Sequence, residues 1–239
     1  MHRMMLPSDV NTAVAARGHA PAGFRVFIDF DNTITCGDVL DDIIEKFATN
    51  DSWRALEEAW VASRISTRAC LEGQLLVLRA SWPELAQHLD RVRLDPGFAA
   101  LRDLLRRERI ELTIVSDNFD LFVDHILRQH GLADVPYRAN HLEIAADRLF
   151  PSFPFGNPDC PHCAHCKKIH FMPPHRDGRR VIFIGDGRSD ICPARHADIV
   201  FAKTGLLSYL RDAQIPCIAY DDLTGVADAL KKRFHENKI

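Results

Sequence analysis

A chain of 239 residues, 46% hydrophobic and 26% charged, is long enough to bury a full core as one domain or as one domain with a smaller insertion. Its net charge of −3, with both signs interspersed, excludes a dedicated nucleic-acid-binding surface, and no apolar run reaches the length of a membrane span. Seven cysteines, an odd count in a chain with no export signal, exclude a disulfide framework and point to the cytoplasm.

Residues 1–22 are polar, Ala-rich and broken by Pro and Gly, and they read as a flexible leader. The first strong strand is Phe24-Arg25-Val26-Phe27-Ile28, which ends in Asp29-Phe30-Asp31-Asn32-Thr33. Alternate strand residues share a face, so Asp29 and Asp31 set out in the same direction. Two carboxylates at a strand end can hold a divalent cation, and one of them can attack an electrophile. The bland alternative is a buried strand running into an Asp-rich turn.

Residues 38–93 carry only helical signals. Apolar positions 39, 40, 43, 44 and 47 fit helical spacing. Asp51 or Ser52 caps a second helix, and Ser66 or Thr67 a third. Ser81 with Glu84 forms a capping box, with Pro83 in the first turn. This span therefore reads as a helical insertion, the core being residues 23–37 and 94–239. Strand and helix then alternate: a helix near 97–108, a strand at 110–115 ending in Ser116-Asp117-Asn118, and a helix from Phe119 to a C-cap at Gly131. A hairpin of short strands follows over 135–150, then an irregular stretch over 151–178. A third strong strand at 180–184 ends in Gly185-Asp186-Gly187-Arg188-Ser189-Asp190. Short strands at 198–202 and 216–220 and a helix over 223–234 complete the chain. The pattern is an α/β, doubly wound parallel sheet with a small helical cap inserted after the first strand. If the three strongest strands are neighbours, their polar ends meet in one crevice.

That ordered set of motifs resembles the haloacid dehalogenase superfamily of phosphatases over about residues 24–220, and within it the phosphoserine phosphatase-like branch, whose caps follow the first motif. The resemblance implies a phosphoric monoester hydrolase acting on a small phosphorylated metabolite, as a monomer or homodimer, with Mg2+ as cofactor. It makes Asp29 the nucleophile that forms an aspartyl-phosphate, Asp31 the general acid and base, and Ser116 a donor to a phosphoryl oxygen. A lysine offsets the negative charge, Lys167 ahead of its neighbour Lys168. The metal set it implies is Asp29, Asp31 through its carbonyl, and Asp186, with Asp190 close by. Asp31 argues against a dehalogenase, which lacks the second Asp. A phosphomutase, or a non-catalytic zinc-holding module on the same fold, stays open.

Two groups in this branch look similar: the methionine-salvage phosphatase acting on 2-hydroxy-3-keto-5-methylthiopentenyl-1-phosphate, and the phosphoethanolamine/phosphocholine phosphatases. Asp29 to Asp38 and the cap segment 64–68 favour the former, and the polar residue after Ser116-Asp117 the latter. The candidate substrate contacts are Thr33, Asp38, Arg68, Asp117 and Asn118. Asp38 has an equal alternative as the N-cap of the first cap helix, and Arg68 as a solvent-facing helix residue.

Cys160, Cys163 and Cys166 stand at CxxC spacing, with His162, His165 and His170 nearby. Tetrahedral zinc takes four N/S ligands, so the three thiols plus one His, or plus Cys192 or Cys36, would make a structural Zn2+ site. Reduced thiols in a loop, or a redox sensor, are the alternatives.

Overall fold

The computed structural model describes residues 23–235; the leader expected over 1–22 lies outside the described residues. Seven strands form one sheet in the order β4-β3-β2-β1-β5-β6-β7. Strand β1 (Phe24–Ile28) sits at its centre, parallel to β2 (Glu111–Phe119) on one side and β5 (Arg180–Gly185) on the other. Strand β3 (Tyr137–Ala145) extends the sheet beyond β2 in parallel, and β4 (Arg148–Ser152) folds back antiparallel as the hairpin's second arm. Strands β6 (Ile199–Ala202) and β7 (Ile218–Ala219) complete the other edge in parallel.

The strand sequences show why both faces are covered. In β1, Val26 and Ile28 enter the larger apolar cluster, whereas Phe27 enters a second one on the opposite face. Strand β5 divides in the same way, with Ile182 and Ile184 on one side and Val181 and Phe183 on the other. A strand apolar on both faces is the signature of a sheet between two helical layers. Helices α5 (Phe98–Arg107), α6 (Asp120–Gln129) and α9 (Leu223–His235) pack on the first face, and α7 (Ile191–Ala194) and α8 (Thr204–Asp212) on the second. Helix α6 alone buries Phe122, Val123, Ile126 and Leu127, each contributing roughly 1.5–3 kcal/mol. The chain leaves it just past the C-cap His130, through Gly131, whose φ of +68° suits a residue without a Cβ.

Between β1 and α5 lie four helices: α1 (Val39–Phe47), α2 (Ser52–Val61), α3 (Thr67–Leu76) and α4 (Trp82–Leu89). Helix α4 starts as the capping box requires, with the Ser81 N–H donating to Glu84 Oε2 at 2.8 Å. Ser66 caps α3 by accepting from the Ala69 N–H at 3.1 Å. Among the described residues no helix is long and apolar enough to cross a membrane.

One boundary differs from expectation. Strand β2 does not stop at Val115; it runs through Ser116-Asp117-Asn118 to Phe119, and α6 begins at Asp120. Its pairing with β3 shifts register between Val115 and Phe119, and Asn140 Nδ2 donates to the Asp117 carbonyl at 2.6 Å. The polar triplet reads as a turn in sequence because its partners lie across the sheet rather than nearby in the chain. Ser116 is consequently not a helix N-cap.

Candidate active site

The ends of β1, β2 and β5 lie side by side, so Asp29, Ser116 and Asp186 meet at one edge of the sheet. The chain leaves β1 through a tight turn in which the Ile34 and Thr35 N–H groups both donate to the Phe30 carbonyl, and Asn32 adopts a φ of +53°. Thr35 Oγ1 donates to the Gly37 carbonyl at 2.7 Å and fixes the exit toward α1.

Asp29 is buried, and its Oδ1 accepts from Lys167 Nζ at 2.6 Å. The same ammonium donates to Asp190 Oδ1 at 2.7 Å and to Ser189 Oγ at 3.1 Å. Lys167 is 1% exposed. Burial alone would discharge it, but the Asp190 and Asp29 carboxylates hold it charged and push its pKa well up. Lys168 makes none of these contacts; of the two adjacent lysines, it is Lys167 that reaches Asp29.

Asp29 itself is pushed well up, by burial first and then by the negative charge of Asp190. Asp186 is raised to about 6 by burial and by Asp190. The carboxylate oxygens of Asp29, Asp186 and Asp190 lie within 4.8 Å of one another. One lysine among three acids leaves negative charge uncompensated, and a divalent cation fits that deficit. Asp190 is the most constrained of the three: Oδ1 holds Lys167, and Oδ2 accepts from the Asp186 and Gly187 N–H groups at 3.0 and 3.3 Å. Gly185 is required beneath it, because a Cβ there would collide with the Asp190 carboxylate. Asp186 is held more loosely, by Thr33 Oγ1 at 3.2 Å and Thr204 Oγ1 at 3.4 Å.

Asp31 points the other way, toward the cap. Its Oδ1 accepts from the Val39 N–H at the start of α1, and both its oxygens accept from Asn118 Nδ2, each bond being 3.0 Å. Burial, then the charge of Asp38, pushes its pKa well up. Ser116 Oγ lies 3.5 Å from Asp31 Oδ2 and accepts from the Asn118 N–H at 3.0 Å.

A cavity of about 180 Å³ opens over these groups, bounded by the core on one side and the cap on the other. Three of the candidate substrate contacts, Asp38, Asp117 and Asn118, line it. Asp38 is at the same time the cap of α1, accepting from the Leu40 and Asp41 N–H groups at 3.1 and 3.0 Å. Two expected contacts lie elsewhere. Thr33 is fully buried beneath Asp186, and Arg68 pairs with Glu72 at 2.8 Å and stacks over Phe153, off the cavity. Arg68 satisfies its charge within its own helix, four residues away, and so has no reason to turn inward.

Apart from Asp38, sequence reasoning missed the cap's side of the cavity. Asp41, Glu57, Trp60 and Gln74 line it, and Glu57 accepts from Gln74 Nε2 at 3.0 Å. Asp41 is raised to about 7 by burial and by the charges of Asp38 and Glu57. Arg188 spans from core to cap: it donates to the Val61 carbonyl at 2.8 Å and to Ser63 Oγ, and lies over the Trp60 ring. The polar residues at helical spacing in α1 to α3 carried a signal of a non-solvent face, but nothing in their order said which face meets the sheet.

The histidines beside the lysine serve the loop. His165 Nδ1 donates to the Ser116 carbonyl at 2.7 Å and its backbone N–H to Asp117 Oδ1 at 2.8 Å, docking the loop on the end of β2. Burial lowers His165 to about 3 and His170 to about 4, so both are neutral.

The sequence profile of the haloacid dehalogenase-like hydrolases matches residues 26–195. A 2-hydroxy-3-keto-5-methylthiopentenyl-1-phosphate phosphatase of Brevibacillus brevis is 35% identical over 204 residues, covering 80% of this chain and 87% of the relative. The enzyme of the same description from Geobacillus kaustophilus is 31% identical, covering 87% and 95%. A solved phospho-aspartyl intermediate analogue of phosphoserine phosphatase superposes with a TM-score of 0.65 at 18% identity, covering 87% and 98%, a likeness of fold.

Proposed function

We propose that this chain, which belongs to the haloacid dehalogenase-like hydrolases, hydrolyses a small phosphoric monoester through a phosphoryl group carried on Asp29. The observation that carries this reading is the Asp29–Lys167–Asp190 cluster with Asp31 poised beside it. It supplies a carboxylate held by a buried cation, and on the cap side a second carboxyl whose pKa burial pushes up.

In the first half-reaction, a carboxylate oxygen of Asp29 bonds to phosphorus while the bond from phosphorus to the substrate's ester oxygen breaks. Asp31 gives its proton to the departing oxygen, so the alcohol leaves neutral. In the second, Asp31, now ionised, takes a proton from water. The resulting hydroxide bonds to phosphorus, releasing inorganic phosphate and regenerating Asp29. Lys167 steadies the nucleophile and the phosphoryl oxygens, and Ser116 and Asn118 hold Asp31 in place. Asp29, Asp186 and the Asp31 carbonyl would hold Mg2+, with Asp190 behind them. When bound, Mg2+ supplies charge neutralisation for the phosphoryl group. The cap, latched by Arg188, limits water at the site.

For the substrate, the relatives' common description and nearly full-length coverage support the methionine-salvage ester, 2-hydroxy-3-keto-5-methylthiopentenyl-1-phosphate. A second reading is favoured by one specific observation: Asp38, Asp41 and Glu57 line the cap side of the cavity with no ion pair among the described residues. Such a wall fits a cationic tail, as in a phosphorylated amino alcohol. The seven unpaired cysteines support action in the cytoplasm. Phosphate release with Mg2+ should be measured across the enolised diketo ester, phosphoethanolamine, phosphocholine, phosphoserine and sugar phosphates. A preference for the diketo ester supports the first reading and a preference for amino-alcohol esters the second. No release from any of them removes the phosphatase reading.

A further inference from the structure

Four thiols lie outside the reaction just described. The Sγ atoms of Cys160, Cys163, Cys166 and Cys192 are all within 4.8 Å of one another, and Cys160 and Cys163 are 3.2 Å apart. Cys36, the other cysteine that could have completed the set, is exposed and not among them. His165 and His170 are turned toward each other at 2.6 Å and take no part.

The arrangement matches what one metal demands. Zinc–thiolate bonds of about 2.3 Å in a tetrahedron put sulfurs about 3.8 Å apart. Four mutually adjacent sulfurs satisfy that, whereas disulfides would need two separated pairs. Asn157 Nδ2 is 3.5 Å from Cys166 Sγ, an N–H donor of the kind that steadies a metal thiolate from outside. A second cavity, of about 490 Å³, is lined by Cys160, Cys163 and Cys192, which gives an ion a route in.

We propose that these four cysteines bind one Zn2+ in a closed tetrahedral site that fastens the lysine-bearing loop to helix α7, just beyond the turn after β5. Each thiol gives up its proton on binding. With four thiolates the shell is full, so the metal is structural and leaves no position for substrate. Its place in the chain gives it a purpose. Cys166 directly precedes Lys167, and Cys192 follows Asp190 by two residues, so the metal ties together the two segments that carry the 2.7 Å Lys167–Asp190 pair. The long irregular stretch over 153–166 contains no helix or strand to do this.

The test is metal analysis of the full chain purified without chelator from cells supplied with zinc, followed by Co2+ substitution. One zinc per chain is expected. The cobalt form should show the intense d–d and sulfur-to-metal bands of a tetrahedral thiolate site. Cys192→Ser should weaken Co2+ binding by at least about tenfold, a loss of ~1.4 kcal/mol, whereas Cys36→Ser and Cys217→Ser should leave it unchanged. If Cys192→Ser does not fold, thiol labelling of the wild-type chain replaces it: zinc should protect these four cysteines and not Cys36. Absence of zinc with no thiolate bands overturns the proposal. So does a disulfide between any two of the four, or a Cys192→Ser variant with an unchanged cobalt spectrum. None of these results bears on the phosphatase reading, which rests on other residues.

Discussion

Two groups of carboxylates face each other across the cavity, and they are built on opposite principles. On the sheet side, Asp29 and Asp190 share one fully buried lysine. On the cap side, Asp38, Asp41 and Glu57 have only helix N–H groups, an amide and a thiol as partners, and no lysine or arginine pairs with them among the described residues. A buried charge without a partner is costly, so the sheet side carries a buried cation of its own, with the remaining deficit one that a divalent cation would fill. The cap side keeps its excess by standing open to the cavity, where a ligand can complete it. The first group is therefore a site offset in part by the protein's own lysine, and the second is a surface with no cation of its own to offset it.

Breaking the internal pair should give the largest effect. Lys167→Met leaves two buried carboxylates uncompensated, and denaturant titration should show a loss of roughly 3–5 kcal/mol. Glu57→Gln, by contrast, removes an uncompensated charge and should leave stability unchanged or slightly raised in the same titration. Next in size is Asp31→Asn, which removes the proton donor yet keeps the shape. It should lower kcat for an alkyl phosphate by about 10²- to 10⁴-fold, and much less for a nitrophenyl ester whose leaving group needs no proton.

A smaller effect separates the two substrate readings. Glu57→Gln should raise KM for a phosphorylated amino alcohol about tenfold, ~1.4 kcal/mol, and leave that for an uncharged tail unchanged. The pH dependence follows the same logic. Asp41 is raised to about 7, so it ionises as pH rises through that value and the wall gains negative charge. Binding of a cationic tail should tighten across pH 6 to 8, and Asp41→Asn should flatten the profile. A KM for the amino alcohol that ignores both changes removes the second reading. The smallest effect expected is that of Arg68→Ala. Its partner is an exposed Glu72, so stability should change by less than about 0.5 kcal/mol and KM not at all.

How far the sequence carries the reader differs on the two sides of the cavity. Asp29, Asp31 and Asp186 are legible because each follows an apolar strand at once, and a parallel sheet brings such ends together. The helical character of residues 39–89 is legible from periodicity and caps such as Ser81 with Glu84. The cap's inward face is not. Glu57 and Arg68 are both charged residues on amphipathic helices, and only packing decides that one faces the cavity and the other pairs along its own helix. Asn118 shows the same limit at shorter range: it is legible as polar and near the site, but its grip on Asp31 depends on β2 running on past Val115 through a register shift. Cys192 is separated from the CxxC stretch by the whole of β5, so its place beside the other three thiols depends on the fold.

The most direct test is an acid-quench experiment on the Asp31→Asn variant, in which the phosphoryl group should leave the enzyme slowly. Mixed with Mg2+ and a nitrophenyl phosphate, quenched and digested, the protein should carry one phosphoryl group on the peptide that contains Asp29. The Asp29→Asn variant should carry none and release no phosphate. Phosphoryl transfer to any other residue, or phosphate release that survives Asp29→Asn, would contradict the assignment of Asp29 as the nucleophile.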